Sequence, residues 1–209
     1  MNRSSDQDHP HRQRIRRHYE HRISPERPNY EILDWASPQS QQARFEILAK
    51  NVDLAGKSLL DVGCGLGDLL TYLQKSEISV DYTGVDIVEK MIEAARLRHP
   101  EGRFLQADIF AKSPFEAQSF DVTFCSGAFN LNLGNNEQFL PRAVAEMVRL
   151  ARNAAVFNLL HHRAAAQEST YFYYDPARVP QLVAGLGVQT RIIDDYLHND
   201  FTVICTKNS

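Results

Sequence analysis

The stretch "LLDVGCGLGDLL", from Leu59 to Leu70, constrains the fold of this chain more than any other feature of its sequence. A short apolar run meets an aspartate, and three glycines then follow at every second position (Gly63, Gly65 and Gly67). Leucines recur behind them at helical spacing. A strand that turns into a helix through glycines is typical of α/β sheets in which a ligand lies against the turn. The stretch therefore predicts a ligand site at the carboxyl end of a strand.

Strand and helix patterns alternate along the rest of the chain. Strand-like apolar runs occur in "DYTGVDI", "GRFLQADIF", "SFDVTFCSG" and "NAAVFNLLHH", with helical patterns around them, one of which begins at the cap residue Asp175. The last two strands, "VQTRIIDDY" and "DFTVICTK", follow one another without a helix, so they should pair antiparallel. We therefore expect an α/β fold with a three-layer, doubly wound sheet of seven strands. The last two strands should form an antiparallel hairpin, and a helical extension should precede the sheet.

Length and charge indicate how the chain is organised. Its 209 residues suit a single domain with an extension, so we expect a basic arm and lid at 1–36 and the domain at 37–209. Residues 1–22 hold six arginines and three acidic residues, whereas the whole chain has a net charge of −3. The arm either contacts an anionic substrate or nucleic acid, or is a solvated tail. Because the body is acidic, a broad nucleic-acid interface is disfavoured.

Several classes of protein do not fit this composition. The sequence has no apolar run near the roughly 20 residues of a membrane-spanning helix, and its N-terminus lacks the apolar centre of a secretory signal. We therefore expect no membrane contact and a cytoplasmic location. The three cysteines are scattered and form no CxxC pair, which predicts neither a disulfide framework nor a metal site. Nothing in the sequence indicates an oligomeric state.

Acidic residues mark the ends of the first three strands, at the edge where ligands bind in such sheets. Asp86 lies 19 residues after Gly67, near the offset at which a carboxylate hydrogen-bonds the ribose of a nucleotide; it could instead cap the next helix. Asp108 could accept a hydrogen bond from an adenine amino group, or form an Asx turn. Asp61 and Asp68 flank the glycines and would repel two phosphates. The turn therefore suits a cationic amino acid moiety better than a pyrophosphate.

Four motifs together resemble a known family. "LLDVGCGLGDLL", "YTGVDI", "RFLQADIF" and "FDVTFCSGAFNL", in this order and spacing, are similar to the successive motifs of class I S-adenosylmethionine-dependent methyltransferases. The resemblance implies a Rossmann-like fold and S-adenosyl-L-methionine as cofactor, with S-adenosyl-L-homocysteine as its product. With the acidic residues above, it assigns the cofactor to Asp61, Gly63, Gly65, Gly67, Asp86, Ile87, Asp108, Ile109 and Ser126. Arg44, on the helix before the first strand, is a candidate for the cofactor carboxylate.

Residues that could act on the methyl acceptor follow the fourth and fifth strands. Phe129 and Asn130 come after the fourth strand, beside the expected methyl position, and His161 and His162 end the fifth strand. Asn130 is a candidate polar contact, and either histidine is a candidate general base. The alternatives are a turn residue at Asn130 and solvent-exposed histidines at the strand end.

Two segments could fold over the carboxyl edge of the sheet as a lid. Trp35 lies in one and Tyr171 in the other, and with Phe129 they are candidates for acceptor contacts, although Trp35 could equally be ordinary helix packing. The sequence thus predicts a cytoplasmic S-adenosylmethionine-dependent methyltransferase for a small-molecule acceptor, without a metal. The alternatives are methylation of RNA or protein, or a cofactor-binding regulator without catalysis.

Overall fold

The computed structural model describes residues 9–24 and 26–207, so the first eight residues of the basic arm lie outside the described part. In the described part of the chain, three helices precede the sheet: α1 (His9–Glu20), α2 (Asn29–Ile32) and α3 (Pro38–Asn51). Helix α3 begins where the sequence predicts. The Ser37 side chain accepts a hydrogen bond from the Ser40 N–H, and Pro38 suits the first helical turn.

Within the described residues, seven strands form one sheet with helices between them. The strands are β1 (Ser58–Val62), β2 (Asp81–Asp86), β3 (Arg103–Gln106), β4 (Phe120–Cys125), β5 (Ala151–Leu160), β6 (Val188–Ile193) and β7 (Asp200–Lys207). The intervening helices are α4 (Asp68–Lys75), α5 (Glu89–Arg98), α6 (Ile109–Lys112), α7 (Asn136–Leu150) and α8 (Val179–Val183). The order is β3-β2-β1-β4-β5-β7-β6, with β7 antiparallel to β5 and β6. The predicted sheet and its closing hairpin are confirmed.

Parallel pairing brings the carboxyl ends of three strands to the same level. Val62 of β1 pairs with Val85 of β2 and with Cys125 of β4. The strand order reverses between β1 and β4, which is the position where an open α/β sheet leaves a crevice for a ligand. The residues that end or follow β1, β2 and β4 therefore border one crevice.

Two apolar layers hold the sheet between them. Helices α3, α4 and α5 bury side chains such as Phe45, Leu73 and Ile92 against one face. Helix α7 buries Val144 and Met147 against the other. Each fully buried side chain of this kind stabilises the fold by about 1.5–3 kcal/mol, so the two layers hold in place the strands whose carboxyl ends border the crevice.

The helix predicted after the cap residue Asp175 is shortened, as its inner Pro180 indicates. Asp175 accepts a hydrogen bond from the Ala177 N–H in a turn, and helix α8 begins only at Val179. A helix starting at Asp175 would place Pro180 where an N–H must be donated, whereas a start at Val179 leaves Pro180 in the first turn, where no donor is needed. Within the described ranges, no helix is long and apolar enough to cross a membrane.

Candidate functional site

A cavity of about 470 Å³ lies at the carboxyl edge of the sheet. Residues at or after the ends of β1, β2, β3 and β4 form its floor, and helix α1 and residues 33–36 form part of its opposite wall. The crevice expected at the topological switch point is therefore covered by the N-terminal extension. The basic arm, as far as the structure describes it, is a wall of the cavity and not a solvated tail.

The three glycines of the first motif have different surroundings. Gly63 and Gly65 line the cavity, and a Cβ on Gly65 would lie only 2.5 Å from Leu33 Cδ2 in the covering segment. Gly67 does not line the cavity. It has a left-handed φ of 80°, and a Cβ there would lie 2.9 Å from His99 Cδ2. The third glycine therefore allows α4 to pack against buried His99, which differs from the expected cofactor contact.

Asp86 fixes the turn that follows β1. The Gly65 N–H donates to Asp86 Oδ2 at 3.0 Å, and the Val88 N–H donates to Asp86 Oδ1 at 2.9 Å. Burial raises the pKa of the Asp86 carboxyl, while these backbone hydrogen bonds act in the opposite direction. The two backbone hydrogen bonds fix the orientation of the carboxylate, which lines the cavity. Asp86 is not the N-cap of α5, because that position is Val88.

Asp61 is a buried acid in the cavity floor. The Tyr82 hydroxyl donates to its Oδ2 at 2.7 Å, and only 4% of the residue is exposed. Burial raises the pKa of Asp61 to about 7; the Tyr82 hydrogen bond lowers it, and the charges of Asp86 and Asp68 raise it further. Such a carboxyl is poised to ionise when a cation approaches.

Asp68 does not face a ligand freely. Its Oδ1 accepts a short hydrogen bond from Asn29 Nδ2, and its Oδ2 accepts one from Gln41 Nε2 at 3.1 Å. Asn29 belongs to α2 and Gln41 to α3. Asp68 therefore joins the N-terminal extension to the start of α4 at the rim of the cavity.

Asp108 forms the far end of the cavity, with Ile87 and Ile109. Its Oδ1 accepts from the Phe110 and Ala111 N–H groups and so caps α6. Its Oδ2 accepts from Arg12 Nε of α1 at 2.5 Å. The carboxylate expected to meet an adenine amino group is thus also an anchor for the covering helix.

Arg44 lines the cavity but is paired internally. Its Nε and Nη2 donate to Asp200 Oδ2 at 2.9 and 2.5 Å, and its Nη1 donates to the Ser40 carbonyl at 2.5 Å. Its guanidinium also lies 4.4 Å from the ring centroid of Trp35. This differs from the expected free cation for a cofactor carboxylate, because the buried Asp200 already compensates the charge of Arg44.

Trp35 is placed by two contacts. Its ring rests on the Arg44 guanidinium and against Gly127, where a Cβ would lie 2.7 Å from Trp35 Cη2. The indole N–H is buried and has no hydrogen-bond partner. The hydroxyl of Ser126, which also lines the cavity, is likewise buried without a partner. Both groups are therefore available to a ligand.

Asp34 joins three segments over the cavity and was not found by sequence reasoning. Its Oδ2 lies 2.8 Å from His18 Nε2, its Oδ1 accepts from Arg22 Nη1 at 2.5 Å, and it accepts a short hydrogen bond from the Tyr171 hydroxyl. Burial disfavours its charge, but the hydrogen bonds from His18 and Tyr171 and the charge of Arg22 lower the pKa of Asp34 to about 2. Helix α1, residues 33–36 and the segment after β5 are thereby fastened to one carboxylate.

The acceptor candidates separate into two groups. Of the residues that the structure describes, the cavity wall includes Trp35, Asn130 and Tyr171 but not Phe129, His161 or His162. Phe129 is buried in an aromatic cluster with Phe110, Phe139 and Phe157. It supports the cavity from behind and does not line it.

The two histidines turn away from the cavity. His161 is buried against Phe201, and its Nδ1 accepts a hydrogen bond from the Arg163 N–H. Burial, with the charges of Arg163 and His162, lowers the pKa of His161. His162 is half exposed, with Nδ1 3.6 Å from Asp175 Oδ1. The turn after β5 decides these directions, so neither histidine is placed as a base for an acceptor.

Helix α1 supplies the cavity residues His11, Arg12 and Ile15, which sequence reasoning missed. With Tyr19, which the sequence had offered as an acceptor contact, His11 and Ile15 recur at a spacing of four and line the cavity, and Arg22 follows the helix. That spacing within a basic segment was the available signal, because it marks one face of a helix. Among the described residues, four buried polar atoms without a partner belong to the cavity wall: His11 Nδ1, Arg22 Nε, Trp35 Nε1 and Ser126 Oγ. Such orphaned groups are typical of a ligand site.

Comparison with solved structures identifies the architecture. The magnesium protoporphyrin IX methyltransferase of Synechocystis PCC 6803, solved with bound S-adenosylhomocysteine, matches with a TM-score of 0.63 and 14% identity. The match covers 98% of this chain and 97% of that chain. At this identity the likeness concerns the fold alone.

Comparison of sequences identifies the family. The profile described as "Methyltransferase domain" matches residues 59–154. A protein of Mycobacterium tuberculosis, a methyltransferase by name, is 31% identical over 159 residues, which is 73% of this chain and 94% of that protein. The phthiotriol/phenolphthiotriol dimycocerosates methyltransferase of Mycobacterium leprae is 34% identical over 56% of this chain, and the match spans only 43% of that enzyme. The trans-aconitate 2-methyltransferase of Delftia acidovorans is 29% identical over 79% of this chain and 63% of that enzyme.

These matches agree with the geometry of the site. The glycine turn after β1, the carboxylate that ends β2 and the acid after β3 meet at one cavity, in the order of the four motifs. The profile match begins at Leu59 and so includes all of them. The chain belongs to the class I S-adenosylmethionine-dependent methyltransferases.

Proposed function

We propose that the protein transfers the methyl group of S-adenosylmethionine to a small-molecule acceptor held in the same cavity. The observation that carries this proposal is the cavity of about 470 Å³ that α1 and residues 33–36 partly cover. Pockets for one drug-sized ligand span about 300–1,000 Å³, so the cofactor would leave room for only a small acceptor. The similarity to a trans-aconitate 2-methyltransferase supports a small acceptor. The similarity to the phthiotriol enzyme covers less than half of that protein.

The cavity walls fit the cofactor. Asp86 would hold the ribose hydroxyls, Asp61 would compensate the positive amino acid moiety, and Asp108 would lie at the adenine edge. The Gly63 and Gly65 backbone would allow close approach of the ligand. The remaining contacts that we assign to the cofactor are Ile87, Ile109 and the unpartnered hydroxyl of Ser126.

Three side chains would orient the acceptor. When bound, the cofactor supplies a methyl group on a positively charged sulfur. Asn130 Oδ1 already accepts from the Leu160 N–H at 3.1 Å, so its Nδ2 is the group left for a ligand. The Tyr171 hydroxyl donates its proton to Asp34, so its oxygen can only accept. With the Trp35 N–H, the wall offers two donors and one acceptor. It would therefore fit an oxygen- or nitrogen-bearing acceptor, with orientation as the main contribution to rate.

A labelling experiment tests the class of acceptor. The protein is incubated with methyl-labelled S-adenosylmethionine in three separate reactions. One contains small metabolites, one contains total RNA and one contains a protein lysate. We expect the label to appear in the metabolite pool. Label in RNA or protein would overturn the small-molecule proposal. No label in any pool, with S-adenosylhomocysteine still changing the fluorescence of Trp35, the only tryptophan of the chain, would favour a binding role without catalysis.

The affinity for S-adenosylmethionine is expected to depend on pH through Asp61. The pKa of this carboxyl is raised to about 7, and the cofactor carries two positive groups that favour its ionised form. As pH rises from 6 to 7.5, the ionised fraction of such a group rises roughly eightfold, and affinity should rise by about the same factor. Titration calorimetry at each pH measures the dependence.

The Asp61→Asn variant is the control for this titration. It keeps the size of the side chain and a partner for Tyr82, but it cannot ionise. Its affinity should be low and nearly constant between pH 6 and 7.5 if Asp61 is the titrating group. A slope equal to that of the wild type would assign the pH dependence to another residue.

A further inference from the structure

The inward face of helix α1 meets the end of the cavity where we place adenine. His11, Arg12 and Ile15 line the same cavity as Asp108 and Ile109. The outward face holds two exposed arginines, at positions 14 and 17. One face of the helix is therefore built for solvent and the other for the cavity.

Two arginines of α1 donate hydrogen bonds to residues of the adenine end. Arg12 Nε donates to Asp108 Oδ2 at 2.5 Å, and Arg16 Nη2 donates to the Ile87 carbonyl at 3.2 Å. The Asp108 carboxylate also caps α6, so its position is fixed from the opposite side. Helix α1 is thus held by the elements that would also hold the base.

His11 has an unfulfilled hydrogen-bonding group at this point. Its Nδ1 is buried and has no partner, although its ring packs edge-on against Phe139 with centroids 6.2 Å apart. A buried polar atom without a partner is costly. A neutral imidazole nitrogen can donate or accept according to the tautomer, and adenine carries both an amino donor and ring-nitrogen acceptors at its edge.

We propose that α1 completes the adenine subsite, with His11 as the residue that hydrogen-bonds the base and Arg12 as the residue that positions the helix through Asp108. The inference rests on the adenine position given under the proposed function. It follows that cofactor affinity and the docking of α1 are coupled, so each stabilises the other. On this proposal, the basic segment binds the cofactor, and no anionic partner is needed to explain its presence.

Substitutions of His11 separate hydrogen bonding from packing. His11→Phe keeps a ring against Phe139 and removes the ring nitrogens, whereas Arg14→Ala changes an exposed residue of the same helix. We expect His11→Phe to weaken S-adenosylhomocysteine about tenfold in titration calorimetry, because one hydrogen bond to a buried group is lost. Arg14→Ala should bind within about twofold of the wild type, as expected for an exposed site.

Binding of adenosine shows whether His11 contacts the base or only helps to cover the cavity. It carries the base without the amino acid moiety, so His11→Phe should weaken adenosine by the same factor as S-adenosylhomocysteine. If His11→Phe binds both ligands as the wild type does, or weakens only S-adenosylhomocysteine, the base contact is overturned. Binding of S-adenosylhomocysteine by the wild type tests the cofactor site separately, so failure of this inference leaves the proposed function standing.

Substitutions of Arg12 test the positioning role. Arg12→Ala should weaken S-adenosylhomocysteine and also reduce hydrogen-exchange protection of the α1 amides, with and without ligand, because the anchor to Asp108 is lost. Arg12→Lys keeps the charge and should restore part of both. Unchanged protection and affinity in Arg12→Ala would overturn the coupling.

Discussion

Replacing Asp86 with alanine is expected to weaken the binding of S-adenosylhomocysteine by about 100- to 10,000-fold. A carboxylate that accepts two ribose hydroxyls contributes two charge-assisted hydrogen bonds, each worth about 1.5–3 kcal/mol. Since 1.4 kcal/mol corresponds to a factor of about ten, their loss gives the expected range. The substitution also releases the Gly65 and Val88 N–H groups and loosens the glycine turn. Titration calorimetry measures the affinity.

Asp121→Ala is a matched control for Asp86→Ala. Asp121 also belongs to a central strand, and it fixes a neighbouring strand by accepting from the N–H and hydroxyl of Ser58. It pairs with β1 at the opposite end from the cavity, so its loss should lower stability without changing affinity. If Asp86→Ala and Asp121→Ala bind S-adenosylhomocysteine equally well, Asp86 has no role in holding the ribose.

Replacing Asp200 with alanine is expected to lower the free energy of unfolding by about 3–5 kcal/mol, the usual cost of breaking a buried ion pair on one side. The Asp200 side chain is fully buried and the Arg44 side chain is only 3% exposed. The variant would leave the Arg44 guanidinium and the Tyr196 hydroxyl, which donates to Asp200 Oδ1, without this partner. Urea unfolding followed by circular dichroism measures the change.

Two further variants show which interaction accounts for the stability lost in Asp200→Ala. Glu46→Ala removes a surface ion pair with Lys50 on the same helix, and it should cost less than about 1 kcal/mol. The double variant Arg44→Met with Asp200→Leu removes both charges and should recover most of the stability, because no charge is then left buried. A loss in Asp200→Ala as small as that in Glu46→Ala would show that the buried pair contributes little.

The sequence was sufficient for the features that depend on short stretches of chain. Strand periodicity, the cap at Ser37 and the glycines after β1 are local, and each agreed with the structure. The spacing from the glycine turn to Asp86 was also informative, since a β-α-β unit of fixed length brings both to one edge. The number of strands and the antiparallel pairing of the last two followed from these local patterns.

The directions of individual side chains were harder to predict. Gly67 has the spacing of a ligand contact, yet it is needed because His99 of a distant turn packs on it. His161 and His162 end the correct strand, but the turn that follows directs them away from the cavity. A strand end fixes the position of a residue, whereas the packing of the next segment decides where its side chain points.

The covering of the site depends on contacts between remote parts of the chain. Asp34 meets Tyr171 across 137 residues, and Arg44 meets Asp200 across 156 residues. Neither pair leaves a local pattern in the sequence, because each partner is an ordinary charged or polar residue in its own neighbourhood. The role of α1 is similar, since its arginines read as a solvated segment until Asp108 is found beside Arg12.

By itself the sequence determined the sheet, the family and the cofactor, because periodicity and motif spacing act over tens of residues and do not need the rest of the fold. Only the tertiary structure decided which wall closes the cavity and which polar groups remain without partners. These properties arise when residues more than 90 positions apart, such as Arg12 and Asp108, are packed together and desolvated. Burial then decides which charges are compensated internally and which groups are left to meet a ligand.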